Sequence, residues 1–257
     1  MAFYPKIKMT VKDAKGNSET QVRHIQEFLD DKIDLLIVSP NESAPLAPIV
    51  ERVYKSGIPV IVLDRKIDSE MYTTFISGDN YSIGVHAGNH AAKLLNEQGN
   101  IVEICGLEGS SPARERHAGF LDALSKYPEI EIVRSVNGDW IQEKSKVAIQ
   151  QVLNDSIAFD LVFAHNDVMA KEVYSALSRS GKGKKYILGV DGLHGIDGGI
   201  QMVLNGILDA TFLYQTGGAL AIETANKILT NQSVPRQSIF STITIEASTI
   251  APMAIAI

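Results

Sequence analysis

The sequence predicts an α/β fold built as two doubly wound parallel sheets, and three observations carry that prediction. Short apolar runs alternate from end to end with amphipathic stretches of helical length. Those runs, such as residues 35–38, 60–63 and 161–164, are apolar at successive positions, as strands covered on both faces are. The rhythm then restarts after residue 78, so the 257 residues read as two lobes, each of a size that supports its own core.

Residues 6–11 alternate like a strand, Gly16-Asn17-Ser18 makes a turn, and Val22, Ile25, Phe28 and Leu29 recur at helical spacing. Residues 35–38 are a buried strand closed by Pro40. After a proline-rich entry, Ile49, Val50, Val53 and Tyr54 mark a second helix that Gly57 ends. Strands 60–63 and 73–77 follow. The second lobe begins with a longer helix, 83–95, and a strand, 101–105. Pro112 stands in the first turn of a helix running to about Tyr127, since proline is tolerated there. Strands 131–136, 161–164, 186–190 and 209–213 are each separated by a helix-length segment, and helix 219–229 and strand 239–245 close the pattern. The apolar tail 250–257 suits either a terminal strand or a segment that continues into something else.

Several function classes are excluded or weakened. With 24 basic and 30 acidic side chains, net −6, there is no basic surplus for nucleic acid. The single cysteine, Cys105, allows no internal disulfide or cysteine-based zinc cage and reads as a small core residue. No apolar run approaches a membrane span, and the start has no signal-peptide core. Neither a Gly-x-Ser-x-Gly elbow nor a phosphate-binding P-loop appears; Gly181-Lys182-Gly183-Lys184 lacks the spacing. The loop from Gly106 to Ser111 carries Glu108, which opposes phosphate. His86 and His90 share a helical face without the glutamate of a zinc protease, so they read as surface or packing residues. No catalytic group, metal or cofactor is predicted.

In open α/β sheets ligands sit beyond the carboxyl ends of the strands. There the sequence places Asp64-Arg65, His165-Asn166-Asp167, Asp191 and Gln215. Such residues also serve as helix caps and turns. Asp167 in particular reads as the cap of a helix over 168–178 and is set apart from the site. Recurrence at the same structural place in both lobes favours binding. Arg116, near a helix start, and Trp140, the only tryptophan, in a Gly/Asp loop after a strand, join the set. Carboxylates, an amide pair, guanidinium groups and an indole suit a neutral polyhydroxyl ligand.

Taken together, the segments Gly57-Ile58-Pro59-Val60-Ile61-Val62-Leu63-Asp64-Arg65, Gly78-Asp79-Asn80, Gly109-Ser110-Ser111-Pro112-Ala113-Arg114-Glu115-Arg116, Phe163-Ala164-His165-Asn166-Asp167 and Gly189-Val190-Asp191-Gly192 resemble the type I periplasmic sugar-binding proteins of the ribose-binding kind. Effector domains of lac-repressor-like regulators share that fold. The resemblance implies that Asp64, Arg65, Arg116, Asn166, Asp191 and Gln215 bind sugar hydroxyls, with Trp140 at a stacking position. It implies lobes of residues 1–78 plus 216–242 and 79–215 plus 243–257, with a monosaccharide between them and a signal carried by lobe closure. Leu35-Leu36-Ile37-Val38-Ser39-Pro40-Asn41-Glu42 and Leu208-Asp209-Ala210-Thr211-Phe212 are similar, more narrowly, to periplasmic sensor domains of hybrid two-component histidine kinases of Bacteroides-type bacteria. A periplasmic location and a membrane-anchored parent follow from that likeness.

In one respect the sequence departs from the family, whose first strand, aromatic loop and first helix precede the segment matching Phe3-Tyr4-Pro5-Lys6-Ile7. The first lobe is therefore expected to be incomplete at its N-terminus, and to be rearranged, swapped or completed by a second copy. Two rival functions stand beside the sensor: a glycoside hydrolase with paired carboxylates, and a transport receptor or transcription effector of the same fold.

Overall fold

The computed structural model describes residues 4–250. In chain order the elements are α1 (Ser18–Asp30), β1 (Leu36–Val38), α2 (Ser43–Lys55), β2 (Val60–Leu63), β3 (Thr74–Gly78), α3 (Asn80–Leu95), β4 (Gln98–Cys105), α4 (Ser111–Leu124), β5 (Glu129–Asn137), α5 (Gln142–Asn154), β6 (Leu161–Ala164), α6 (Asp167–Ser180), β7 (Tyr186–Asp191), α7 (Gly199–Leu204), β8 (Ala210–Leu213), α8 (Gly218–Leu229), β9 (Gln237–Phe240), β10 (Thr244–Glu246) and α9 (Ala247–Ile250). They fall into two compact units. The first holds the chain up to Gly78, Gly109–Ser111 and Gln215–Phe240; the second holds Asp79–Glu108, Pro112–Tyr214 and the chain from Ser241.

The first unit is a four-stranded, all-parallel sheet in the order β1-β2-β3-β9. Both faces are covered, as the continuous apolar strands require. Val60 and Val62 of β2 pack with Leu46, Val50 and Val53 of α2, while Ile61 packs with Ala221 and Ala225 of α8. Asn17 starts α1 by accepting from the Thr20 amide.

Two expectations fail in or beside this unit. Residues 6–11 form no strand, and β1 is an edge of the sheet. Alternation makes a strand only where one face is buried; here Met9 and Val11 are exposed, so the pattern has nothing to pack on. A groove of about 340 Å³ lies beside β1, bounded by Lys12, Gly16, Ile25, Phe28, Leu36 and Val38. The second failure is the expected strand 239–245, which is two strands: β9 pairs with β3 in this sheet, and β10 pairs antiparallel with β8 in the other.

The second unit is a six-stranded sheet, β10-β8-β7-β6-β4-β5, parallel except for β10. Alternate residues of its strands feed opposite cores. Val102, Ile104 and Val162 pack with α5 and α6, while Ile101, Leu161 and Phe163 pack with α3 and α4. Gly84 and Gly88 of α3 let α4 approach closely, for a Cβ on Gly84 would fall 2.1 Å from the Arg116 carbonyl oxygen. Strand order reverses between β4 and β6, the topological switch point where such sheets open a binding crevice. No described helix is long and apolar enough to cross a membrane. The part of the apolar tail at 251–257 lies outside the described residues.

Candidate functional site

In the second unit the structure brings together Arg116, Trp140, Asn166 and Asp191, all at the carboxyl ends of strands or beside them. The switch point explains the gathering. The loop after β4 begins with Gly106, the loop after β5 carries Trp140, and His165-Asn166 follow β6 directly. Gly106 is flat against the indole: a Cβ there would lie 2.0 Å from two Trp140 ring carbons. Arg116 of α4 is 3% exposed. Its Nε donates to Asn80 Oδ1 at 3.0 Å, and its Nη1 donates to the His165 carbonyl. Its guanidinium lies over the rings of Trp140 and Tyr214, 5.5 Å and 4.9 Å from their centroids, two cation–π contacts that fix a charge otherwise costly to bury.

Asn166 is the N-cap of α6, accepting from the Met169 amide at 2.8 Å. This corrects the reading of Asp167 as the cap. Asp167 is instead the first residue of α6, buried, with Oδ2 accepting from the Gly192 amide at 2.9 Å and Oδ1 accepting from Thr211 Oγ1 at 2.7 Å. Burial and then the charge of Asp191 push its carboxyl up to about 8, against the pull of Thr211, Gly192 and Arg116.

Beneath these residues lies a buried ionic network. Glu103 of β4, fully buried, accepts from His165 Nε2 at 3.0 Å, from His117 Nδ1 at 2.8 Å and from Ser135 Oγ at 3.0 Å. Burial raises the Glu103 carboxyl, but the bonds from His117 and His165 and their charges outweigh it and bring it down to about 2. Burial holds His165 below the usual imidazole range, whereas the bond to Glu103 raises His117. Glu103, Cys105 and His165 offer ligand-type atoms within 4.8 Å of one another. They are nevertheless a hydrogen-bond network. The Gly106 amide donates to His165 Nδ1 at 3.2 Å, so Nε2 carries the proton and points it at Glu103, leaving no lone pair for a metal. Burial also pushes the Cys105 thiol up, keeping it protonated. His90 packs edge-on against Phe212, and exposed His86 lies 3.4 Å from Thr244 Oγ1.

In the first unit Asp64 and Arg65 follow β2, both half-buried. Ser39 Oγ donates to Asp64 Oδ2 at 3.3 Å, Arg65 Nε lies 3.7 Å from the same oxygen, and Arg65 Nη1 donates to the Asn41 carbonyl at 2.9 Å. Gln215 belongs to this unit too and is exposed. Asp64, Trp140 and Asp191 share a backbone feature: φ is 68°, 67° and 123° respectively, in the region that disfavours side chains. Such strain concentrates at functional sites.

Sequence reasoning missed Asn80, Tyr214 and Thr211. Asn80 sat inside a matched segment and Tyr214 directly before Gln215, but their partners are distant in sequence.

A family model described as a periplasmic binding protein domain matches residues 4–233. The ribose import binding protein RbsB of Escherichia coli (strain K12) is 30% identical over 228 residues, 88% of this chain and 76% of that protein. Among solved structures, the fructose binding periplasmic domain of the hybrid two component system BT1754 superposes with a TM-score of 0.95 at 38% identity, covering 99% of this chain and 85% of that one. A protein from Mycobacterium smegmatis in complex with β-D-fucofuranose superposes with a TM-score of 0.88 at 27% identity, covering 95% and 82%. The first two bear the names of a binding protein and a binding domain, not of enzymes.

Proposed function

The chain belongs to the periplasmic binding protein family, and from that premise we propose that it binds a monosaccharide and reports it as the sensor domain of a two-component regulator. The observation that carries the sugar reading is the recurrence of strained polar residues at strand carboxyl ends. Asp64 in one unit and Asp191 in the other each hold a carboxylate at positive φ directly at the end of a strand. On this reading the residues that contact the neutral ligand are Asp64, Arg65 and Gln215 in the first unit and Arg116, Trp140, Asn166 and Asp191 in the second. Its differential affinity for one relative orientation supplies the signal.

The sensor reading is supported by the 38% identity to the periplasmic domain of a hybrid two-component system. A transport receptor is the second reading, favoured by the likeness to a ribose import binding protein. Family membership supports a periplasmic location for either. A thermal-shift screen of D-fructose, D-ribose, D-allose, L-arabinose and myo-inositol tests the binding reading. At least one raises Tm with a saturable dose dependence; no shift with any of them refutes it. Deleting the gene separates the roles: loss of sugar-induced transcription with uptake intact marks the sensor, and the reverse marks the transport receptor.

A further inference from the structure

We infer that Asp167 is a positioning residue of the ligand site, holding the Asp191–Gly192 corner in the shape that presents the Asp191 carboxylate. The inference rests on the reading of Asp191 as a sugar ligand and adds a residue that touches no ligand itself.

The corner needs holding. Asp191 has φ 123° and Gly192 φ 61°, two successive residues in sparsely populated backbone at the end of β7. Strain of this kind persists only where the surroundings over-determine it. Two backbone bonds do so here. The Tyr214 amide donates to the Asp191 carbonyl at 3.1 Å, tying the corner to the end of β8. The Gly192 amide donates to Asp167 Oδ2 at 2.9 Å and also lies 3.2 Å from Thr211 Oγ1. Thr211 Oγ1 in turn donates to Asp167 Oδ1 at 2.7 Å, so one carboxyl joins α6, the corner after β7, and β8.

The surrounding sequence makes room for that carboxyl. A Cβ on Gly189 would fall 2.3 Å from Oδ1, and one on Gly199 would fall 1.9 Å from Oδ2. Both glycines have negative-φ backbone, so crowding rather than conformation explains them: at Gly199 every close atom belongs to Asp167, and at Gly189 the nearest does, with Leu208 Cδ1 next at 3.1 Å. Capping does not explain Asp167, because Asn166 already caps α6.

Asp167 is 3% exposed, and the charged groups that face it are Asp191 from the end of β7 and Arg116 from α4. Ionising it sets a second negative charge beside Asp191. In the neutral acid the 2.7 Å bond reverses, the Oδ1 hydroxyl donating to Thr211 Oγ1 while Oδ2 still accepts from Gly192, and asparagine mimics that form: its oxygen accepts from Gly192 while its amide donates to Thr211 Oγ1.

The test follows the Gly192 amide by ¹⁵N–¹H correlation NMR from about pH 6 to about pH 10 in the parent, D167N and D167A, alongside calorimetry with D-fructose or whichever screened sugar binds. In the parent the Gly192 resonance titrates near pH 8 and sugar affinity falls across the same range; in D167N both are flat. D167A weakens binding at least about tenfold at neutral pH, and D167N recovers most of that loss. A Gly192 resonance that still titrates in D167N overturns the inference, as does a folded D167A that binds like the parent. If D167A fails to fold, D167N decides alone. If the parent binds no sugar, the function reading fails, while the Gly192 titration still decides the positioning claim.

Discussion

Glu103 Oε1 accepts a hydrogen bond from His165 Nε2 at 3.0 Å with both side chains fully buried, and the carbonyl of that same His165 receives the Nη1 of Arg116. The relationship makes an acidic group in the core a support of the loop that carries His165 and of the Arg116 guanidinium. Its folded pKa, about 2, lies below the ordinary 4.5, so its stabilisation is complete above about pH 4.5 and is lost as pH falls towards 2. Glu103→Gln removes the charge that two histidines hold, and is expected to cost about 3 kcal/mol at pH 7 and to flatten the acid limb. Urea unfolding at stepped pH checks both.

Asp167 gives the opposite slope. Its folded pKa of about 8 exceeds the ordinary 3.8, so its contribution is complete below about pH 3.8 and declines as pH rises towards 8. Asp167→Asn abolishes that decline. The same denaturation series measured between these limits shows the parent losing stability relative to the variant as pH rises.

Gly106→Ala drives a methyl group into the indole, whose ring carbons lie 2.0 Å from the position a Cβ would take. Because Trp140 is the only tryptophan, its emission reports the displacement directly. The variant is expected to shift that emission and to weaken sugar binding by about tenfold or more.

Arg116→Lys cannot reproduce a planar fork that bonds Asn80 and the His165 carbonyl while lying over the rings of Trp140 and Tyr214. Calorimetry is expected to show affinity at least about tenfold lower, and thermal unfolding a loss of about 1–3 kcal/mol from the unsatisfied buried partners.

β1 presents an edge beside a groove of mixed polar and apolar lining, and such edges pair with other chains. Sedimentation velocity over a wide concentration range is expected to show reversible association of this chain. A constant monomer contradicts a role for β1 in pairing.

Much of this molecule is legible in its sequence, and the failures have physical causes. Runs such as Leu161–Ala164 announce themselves because a strand covered on both faces must be apolar throughout. Residues 6–11 mislead because alternation records only a capacity to bury one face, and no face is offered. The segment 239–245 misleads because continuity of apolar residues hides a change of sheet between Phe240 and Thr244. The reading of strand carboxyl ends does locate Asp64, Asn166 and Asp191, which end or follow β2, β6 and β7. It cannot separate Asn166, the cap, from Asp167, the pin. That distinction depends on Gly189, Gly192, Gly199 and Thr211, which only folding brings to the carboxyl group.

The central claim is that a sugar is held by the strained carboxylates at the strand ends. Isothermal titration of D-fructose and the other screened sugars into the parent and Asp191→Ala tests it most directly. Saturable binding with one site per chain is expected in the parent, and a loss of at least about a hundredfold in Asp191→Ala, the scale of a charge-assisted hydrogen-bond set. Equal affinity in a folded Asp191→Ala, or no binding of any of the sugars to the parent, would contradict it.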